Sequence, residues 1–308
     1  MFTPETLDKK DFLSSQDLNL EKFLHILQLA KKFKNNELKI NLNNKVLGLV
    51  FDKSSTRTRV SFQVAMTRLG CNTLDLDPKT SQIGRGEPIK DTARVLSRYC
   101  DVLAIRTYSH SDLEDYAKWS SKPVINALTD LEHPCQALAD YLTIFEEFGR
   151  FDDLVLTFVG DGNNVANSLI LCASILDLEI RIVCPKGYEP NSQILKKAKE
   201  LYKDQTKLKI LNDPIKAMKG SNIVYTDVWA SMGEEDEKEE KDKAFKGFTI
   251  SQDLVDKANK DVIVLHCLPA YRDKEITDQI IDSKHSRIFD QAENRLHVQQ
   301  ALLACLLS

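Results

Sequence analysis

Apolar residues recur at helical spacing from Leu18 through Leu20, Phe23, Leu24, Leu27 and Ala30 to Phe33, so an amphipathic helix opens the chain. A continuous apolar run follows at 46–51, then a hydroxyl-rich stretch at 54–59, and helical spacing resumes from Val60 to Met66. Further strand-like runs at 102–105 and 124–126 are separated by helical stretches near 60–69, 88–98 and 111–119. Short, continuously apolar strands alternating with helices predict a parallel sheet covered by helices. Ala137, Leu138, Tyr141, Leu142, Phe145 and Phe148 mark a bridging helix that ends at Gly149-Arg150-Phe151-Asp152-Asp153. Beyond it, strands at 154–159, 179–183, 209–211, 223–226 and 262–266 with helices between them predict a second open α/β unit. Leu296, Leu303 and Leu307 place a last helix over about 294–307 that packs back on the first domain.

The expected fold class is therefore α/β, with two open parallel-sheet domains, a cleft between them and a returning C-terminal helix. The boundaries expected are 1–135 with the helix 291–308, and 136–290. A chain of 308 residues is comfortable for two domains, each with its own core. Lys and Arg number 42 against 46 Asp and Glu, a net charge of −4, and no basic stretch is interleaved with aromatics. That excludes nucleic acid as the natural partner. The seven cysteines contain no C-x-x-C pair and fall near apolar segments, which reads as reduced thiols in a cytoplasmic protein. The stretch Met1 to Thr6 lacks a basic region followed by an apolar core, and no apolar run reaches the length of a membrane span, so neither a secretory nor a membrane signal is expected.

Ser54-Ser55-Thr56-Arg57-Thr58-Arg59 carries the strongest chemical signal. Hydroxyls and guanidiniums set between a buried strand and a helix meet the unpaired N–H groups and positive dipole end of that helix, an arrangement suited to an anion with several oxygens. A plain capping run with two solvated arginines is the alternative. Other polar groups also stand at strand ends, where open α/β folds place ligands: Arg106-Thr107, His133-Pro134-Cys135-Gln136 and His266-Cys267-Leu268-Pro269. His133, Cys135, His266 and Cys267 could ligate a metal, but they lack the spacing of a structural zinc site, and no metal is expected. Gly160-Asp161-Gly162-Asn163-Asn164-Val165 fails the dinucleotide pattern at Val165, so its asparagine-rich turn suits a small polar ligand, and no cofactor is expected. Asp227 is either a carboxylate for a substrate ammonium or a structural strand-end residue. The run Glu234 to Lys243 has no apolar face and reads as a solvated helix or mobile loop; beside Ser231-Met232-Gly233 it could also serve as a movable lid.

Taken in order, Phe51-Asp52-Lys53-Ser54-Ser55-Thr56-Arg57-Thr58-Arg59, His133-Pro134-Cys135-Gln136, Phe158 to Asn164, Asp227-Val228-Trp229-Ala230-Ser231-Met232-Gly233, His266-Cys267-Leu268-Pro269 and Asp290 to His297 resemble the ornithine carbamoyltransferases from the first helix to the last. The Ser-Thr-Arg-Thr run is shared by the wider carbamoyltransferase family, while the Ser-Met-Gly and His-Cys-Leu-Pro segments favour ornithine over aspartate. The resemblance implies that Ser55, Thr56, Arg57 and Thr58 hold the phosphate of carbamoyl phosphate and that Arg106 meets both phosphate and carbonyl oxygen. It assigns the carbamoyl group to His133 and Gln136, with Arg295 returning to that site and Gln82 contributed by a neighbouring chain. Arg85, in the same loop as Gln82, stands where aspartate-specific relatives carry lysine. Asn164, Asp227, Ser231 and Met232 would bind the amino-acid end of ornithine, and Cys267 and Leu268 its side-chain amine. A homotrimer with shared sites is implied as well.

The implied chemistry is direct attack of the δ-amine through a tetrahedral species, with Arg106, His133 and Cys267 as the catalytic set. Cys267 is expected to orient the amine rather than act as a nucleophile, since no Asp or Asn partner for a Cys-His pair is evident in the sequence. The competing readings are a carbamoyltransferase for another amine, such as putrescine, and a non-catalytic phosphometabolite binder on the same scaffold.

Overall fold

The computed structural model describes residues 4–7, 10–77, 86–230 and 235–308. The chain divides into two compact units, 1–142 with 293–308 and 143–292, the divisions falling inside two helices.

The first unit begins with α1 (Leu20–Lys34), whose Asn19 cap accepts from the Lys22 N–H, and proceeds through β1 (Val46–Phe51), α2 (Thr56–Arg68), β2 (Asn72–Leu76), α3 (Ile89–Tyr99), β3 (Val102–Arg106), α4 (His110–Trp119) and β4 (Val124–Leu128) to α5 (Pro134–Phe148). Its sheet is parallel, in the order β2-β1-β3-β4. The interior strands β1 and β3 are apolar up to Arg106 because helices cover both faces; Val50, Leu103, Ile105 and Val124 pack with Ala93, Leu113 and Tyr116 of α3 and α4. The strand β2, absent from the expectation, is a half-exposed edge whose residues Asn72-Thr73-Leu74-Asp75-Leu76 carry too little apolar character to announce it. At the opposite edge Phe12, fully buried, hydrogen-bonds to both Val124 and Asn126 of β4.

The second unit follows with β5 (Val155–Val159), α6 (Asn164–Leu176), β6 (Glu179–Val183), α7 (Ser192–Leu201), β7 (Leu208–Leu211), α8 (Pro214–Met218), β8 (Ile223–Thr226), α9 (Lys238–Ala244), α10 (Gln252–Val255), β9 (Ile263–His266) and α11 (Asp278–Ile281). Its sheet is again parallel, in the order β7-β6-β5-β8-β9. Val159, Val183, Val224 and Val264 share one core with Phe245, Ile250, Ile280 and Ile288. The last helix, α12 (Ile288–Leu307), begins in this unit and ends in the first, where Asn294 accepts from Lys34 of α1 at 2.8 Å.

Both sheets reverse their strand order at one point, between β1 and β3 in the first and between β5 and β8 in the second. Ligands in open α/β folds lie beyond the carboxyl ends of the strands at that point. All seven cysteines are free thiols. Among the described residues no helix is long and apolar enough to cross a membrane.

Candidate active site

In the first unit the reversal point is flanked by the turn after β1 and by Arg106 at the end of β3, which pairs in register with Phe51. Ser55 stands at the N-cap of α2 in extended conformation, yet its hydroxyl makes no capping bond, and the first turn contains no acidic residue. Hydroxyls, first-turn N–H groups and the Arg57 guanidinium thus share the positive end of one helix. Thr58 is buried, while Thr56 and Arg57 are exposed. The register between β3 and β4 shifts between Ile105 and Arg106, a local irregularity of the kind that re-aims a side chain, and Arg106 is itself buried.

His133 precedes Pro134, the first residue of α5, and its carbonyl accepts from the N–H groups of Gln136 and Ala137. Arg295 of α12 gathers the segments: its Nη1 reaches His133 Nε2 at 3.1 Å and donates to Gln136 Oε1, while Nη2 donates to Thr58 Oγ1 at 2.7 Å. A guanidinium can only donate, so His133 Nε2 accepts and the imidazole proton sits on Nδ1. Burial pushes the His133 pKa well below the ordinary histidine value, and the positive charges of Arg295, Arg106 and Arg57 push it further the same way. His133 is therefore a neutral hydrogen-bonding group among guanidiniums. Asp140, one turn beyond Gln136 in α5, fixes the Gln136 amide by accepting from Nε2 at 2.8 Å.

In the second unit the reversal point lies between the turns after β5 and β8, drawn together where Thr226 Oγ1 donates to Val159 O at 2.7 Å. Asp227 is buried, and both of its carboxylate oxygens accept hydrogen bonds. Oδ2 accepts from Asn163 Nδ2 at 2.8 Å; Oδ1 accepts from the Val228 N–H at 2.8 Å and from the Cys267 thiol at 3.0 Å. Asn163 is also the N-cap of α6, and Asn164 is that helix's first residue. Next to Cys267, His266 Nδ1 accepts from the Leu268 N–H at 2.9 Å, so its proton is on Nε2, 3.1 Å from buried Glu275. The two side chains therefore have different partners, and Cys267 is no His-activated nucleophile in this arrangement. Leu268 holds a left-handed φ of 59°, a conformation a leucine adopts only where its surroundings impose it.

Asp227, His266 and Cys267 each bring one potential ligand atom within 4.8 Å of the others. Both ring nitrogens of His266 are already committed to Leu268 and Glu275, so the set fits a hydrogen-bonded positioning network better than a metal centre. Gln82, Arg85, Ser231 and Met232 lie outside the described residues.

Three further residues support these groups, none of them assigned to the site by the sequence. Asn163 orients Asp227; Glu132 accepts from Ser14 Oγ and the Ser15 N–H beside His133; Asp161 pairs with Lys241 at 2.8 Å. The expectation of a wholly solvated 234–243 run is corrected at Lys241, whose side chain is only 4% exposed because its charge is matched by Asp161. Of these, Asn163 alone had a readable signal, an amide side chain at a strand-to-helix turn.

The model of the aspartate/ornithine carbamoyltransferase carbamoyl-P binding domain matches residues 10–146, and that of the Asp/Orn binding domain of the same family matches 152–306. An ornithine carbamoyltransferase of Prochlorococcus marinus subsp. pastoris is 71% identical over all of both chains. One from Parasynechococcus marenigrum is 55% identical, over 98% of this chain and 95% of its own. The structure of the Pyrococcus furiosus ornithine carbamoyltransferase superposes with a TM-score of 0.93 at 47% identity, covering 97% of each chain. That of an anabolic ornithine carbamoyltransferase from Campylobacter jejuni does so with a TM-score of 0.91 at 42% identity, covering 97% of this chain and 99% of that one.

Proposed function

Since the chain belongs to the aspartate/ornithine carbamoyltransferase family, as an ornithine carbamoyltransferase that moves the carbamoyl group of carbamoyl phosphate onto ornithine to give citrulline, we propose that its two strand-reversal points divide the substrates between them. The first unit takes carbamoyl phosphate, with Ser55, Thr56, Arg57 and Thr58 on the phosphate, Arg106 on phosphate and carbonyl oxygen, and His133, Gln136 and Arg295 around the carbamoyl group. The second takes ornithine, with Asn164, Asp227, Ser231 and Met232 at the amino-acid end and Cys267 and Leu268 near the δ-amine. The observation that carries this reading is Arg295, which ties Thr58, His133 and Gln136 into one buried network.

The δ-amine of ornithine has a reference pKa of about 10.4 by analogy with lysine, so only a small fraction is nucleophilic at neutral pH. Its lone pair forms a C–N bond to the carbamoyl carbon, and the carbonyl oxygen gains negative charge. Arg106, with Thr58 and neutral His133, stabilises that oxygen most strongly as the charge develops. The C–O bond to phosphate then breaks, Arg57 and the α2 terminus hold the departing dianion, and a phosphate oxygen accepts the proton lost by the amine. No covalent intermediate on Cys267 is needed. We further propose a cytoplasmic homotrimer in which Gln82 of a neighbouring copy completes each carbamoyl phosphate site.

Citrulline formation with L-ornithine, aspartate, putrescine and N-acetylornithine as competing amines tests the acceptor. In the same assay Arg57→Ala should chiefly weaken carbamoyl phosphate use and Asp227→Ala ornithine use. Unchanged carbamoyl phosphate kinetics in Arg57→Ala, or a defect in Asp227→Ala confined to carbamoyl phosphate, would reassign the residue.

A further inference from the structure

Helix α9 lies within the most highly charged stretch of the chain, yet three of its contacts tie it to three different turns. Lys241 Nζ meets Asp161 Oδ2 at 2.8 Å and Glu237 Oε2 at 3.8 Å. Phe245, the C-cap residue of α9, is fully buried and stacks on Trp229 with ring centroids 5.5 Å apart. Asp242 pairs with Lys274, whose ammonium lies 5.7 Å from the Trp229 ring. Asp161, Trp229 and Lys274 belong to the turns that follow β5, β8 and β9. These turns also carry Asn163 and Asn164, Asp227, and Cys267.

Of these contacts, the Lys241 pair is the most demanding. An ammonium so nearly buried is retained only with a matched charge in good geometry, and such a pair fixes position because moving either partner exposes an unbalanced charge. Asp161 is in turn close to the chemistry: its carbonyl accepts from the Asn163 N–H at 2.7 Å, and the Asn163 amide holds Asp227 Oδ2 at 2.8 Å. From the Lys241 ammonium to the Asp227 carboxylate there are two side-chain bonds and one tight turn.

We propose that Lys241 is a positioning residue for the amino-acid substrate: without touching it, Lys241 fixes Asp161 and through the Asn163 turn sets the carboxylate of Asp227. This rests on the assignment of ornithine to the second unit. The test measures KM for ornithine, KM for carbamoyl phosphate and kcat in Lys241→Met, Lys241→Arg, the double variant Asp161→Asn/Lys241→Met, and Asp227→Asn. Loss of the charge-assisted bond should raise the ornithine KM about tenfold in Lys241→Met and leave the carbamoyl phosphate KM within about twofold, while Lys241→Arg recovers most of the affinity. The double variant carries no stranded charge, so it decides the matter if Lys241→Met does not fold. A raised ornithine KM in the double variant supports positioning. A wild-type ornithine KM there, or equal rises in both KM values, overturns it. Should Asp227→Asn raise the ornithine KM while the folded Lys241 variants leave it alone, positioning by Lys241 falls and the site stands; if Asp227→Asn leaves it alone too, both fall.

Discussion

Asn163 donates through Nδ2 to Oδ2 of Asp227 at 2.8 Å, and the bond crosses the point where the second sheet reverses its strand order. The oxygen of the same amide caps α6, accepting from the N–H groups of Val165 and Ala166. Since that end of the amide faces two donors, its NH2 end must face the carboxylate. One side chain thus sets both the start of a helix and the orientation of a candidate substrate ligand.

The two roles separate by substitution. Asn163→Ser keeps a capping hydroxyl but is too short to hold Asp227, so stability should stay within about 0.5 kcal/mol of the parent while the KM for ornithine rises. Asn163→Ala loses both and should also be destabilised by about 1 kcal/mol. Denaturant unfolding beside ornithine kinetics distinguishes them, and an unaltered ornithine KM in both variants would remove Asn163 from the site.

Arg295 serves three acceptors on two separate segments with one planar fork. Lysine retains the charge but not the fork, so Arg295→Lys should lower kcat/KM for carbamoyl phosphate on the order of a hundredfold, as expected for losing preorganised donors at a charged transition state. Initial rates with carbamoyl phosphate varied at saturating ornithine check this. Parent-like values would mean that charge alone suffices.

His133 gives a pH signature. Its folded-state pKa is held well below the ordinary 6.5 by burial, then by Arg295, Arg106 and Arg57. The unfolded chain therefore binds a proton that the folded chain refuses. Stability associated with the neutral imidazole is fully present above pH 6.5 and is lost as pH falls from there toward the depressed value. His133→Gln removes this difference, so its stability should decline less steeply on acidification, by up to about 1.4 kcal/mol per pH unit. His25 and His297 are depressed in the same direction, by burial first, and drop out of the comparison because both proteins contain them. An imidazole resonance of His133 titrating at an ordinary histidine pKa would contradict the assignment.

Gly162 is needed for a close approach. A Cβ there would lie 2.3 Å from Pro190 N and 2.4 Å from the Glu189 carbonyl carbon, both backbone atoms that cannot swing aside. Gly162→Ala should cost about 1–3 kcal/mol of stability and, by displacing the Asn163 turn, raise the KM for ornithine. Thermal unfolding and ornithine kinetics test the two effects together.

Interior strands such as β1, β3 and β8 were legible because burial on both faces leaves them largely apolar, as in Val102 to Ile105 and Ile223 to Tyr225. The edge strand β2 was not, since Asn72 and Asp75 answer to solvent rather than to a core. The hydroxyl- and arginine-rich turn at 54–59 and the strand-end residues Arg106, His133 and Asp227 announced themselves as candidates locally, by residue type and place. Asn163 showed itself as a turn amide but not as the partner of Asp227, 64 residues away, and Glu132 and Lys241 gave no signal because their partners stand 118 and 80 residues away. Lys241 was misleading for a physical reason: a charge run describes solvation only while its charges remain unpaired with the body of the protein.

Arg287 grips Glu147 with two bonds of 2.8 Å, Nε to Oε2 and Nη2 to Oε1, so the beginning and end of the 143–292 unit are fastened to each other. The first unit, by contrast, must join Thr58 to Arg295 across 237 residues of intervening chain. Once the 143–292 unit has folded, that separation no longer acts as a long flexible loop, and most of the closure entropy has already been spent within a contiguous segment. The order of assembly is thereby biased, with the inserted unit acting as a clasp for the discontinuous one. Each unit contains one tryptophan, Trp119 in the first and Trp229 in the second. In refolding followed by single-tryptophan fluorescence, Arg287→Ala should therefore delay the Trp119 signal more than the Trp229 signal.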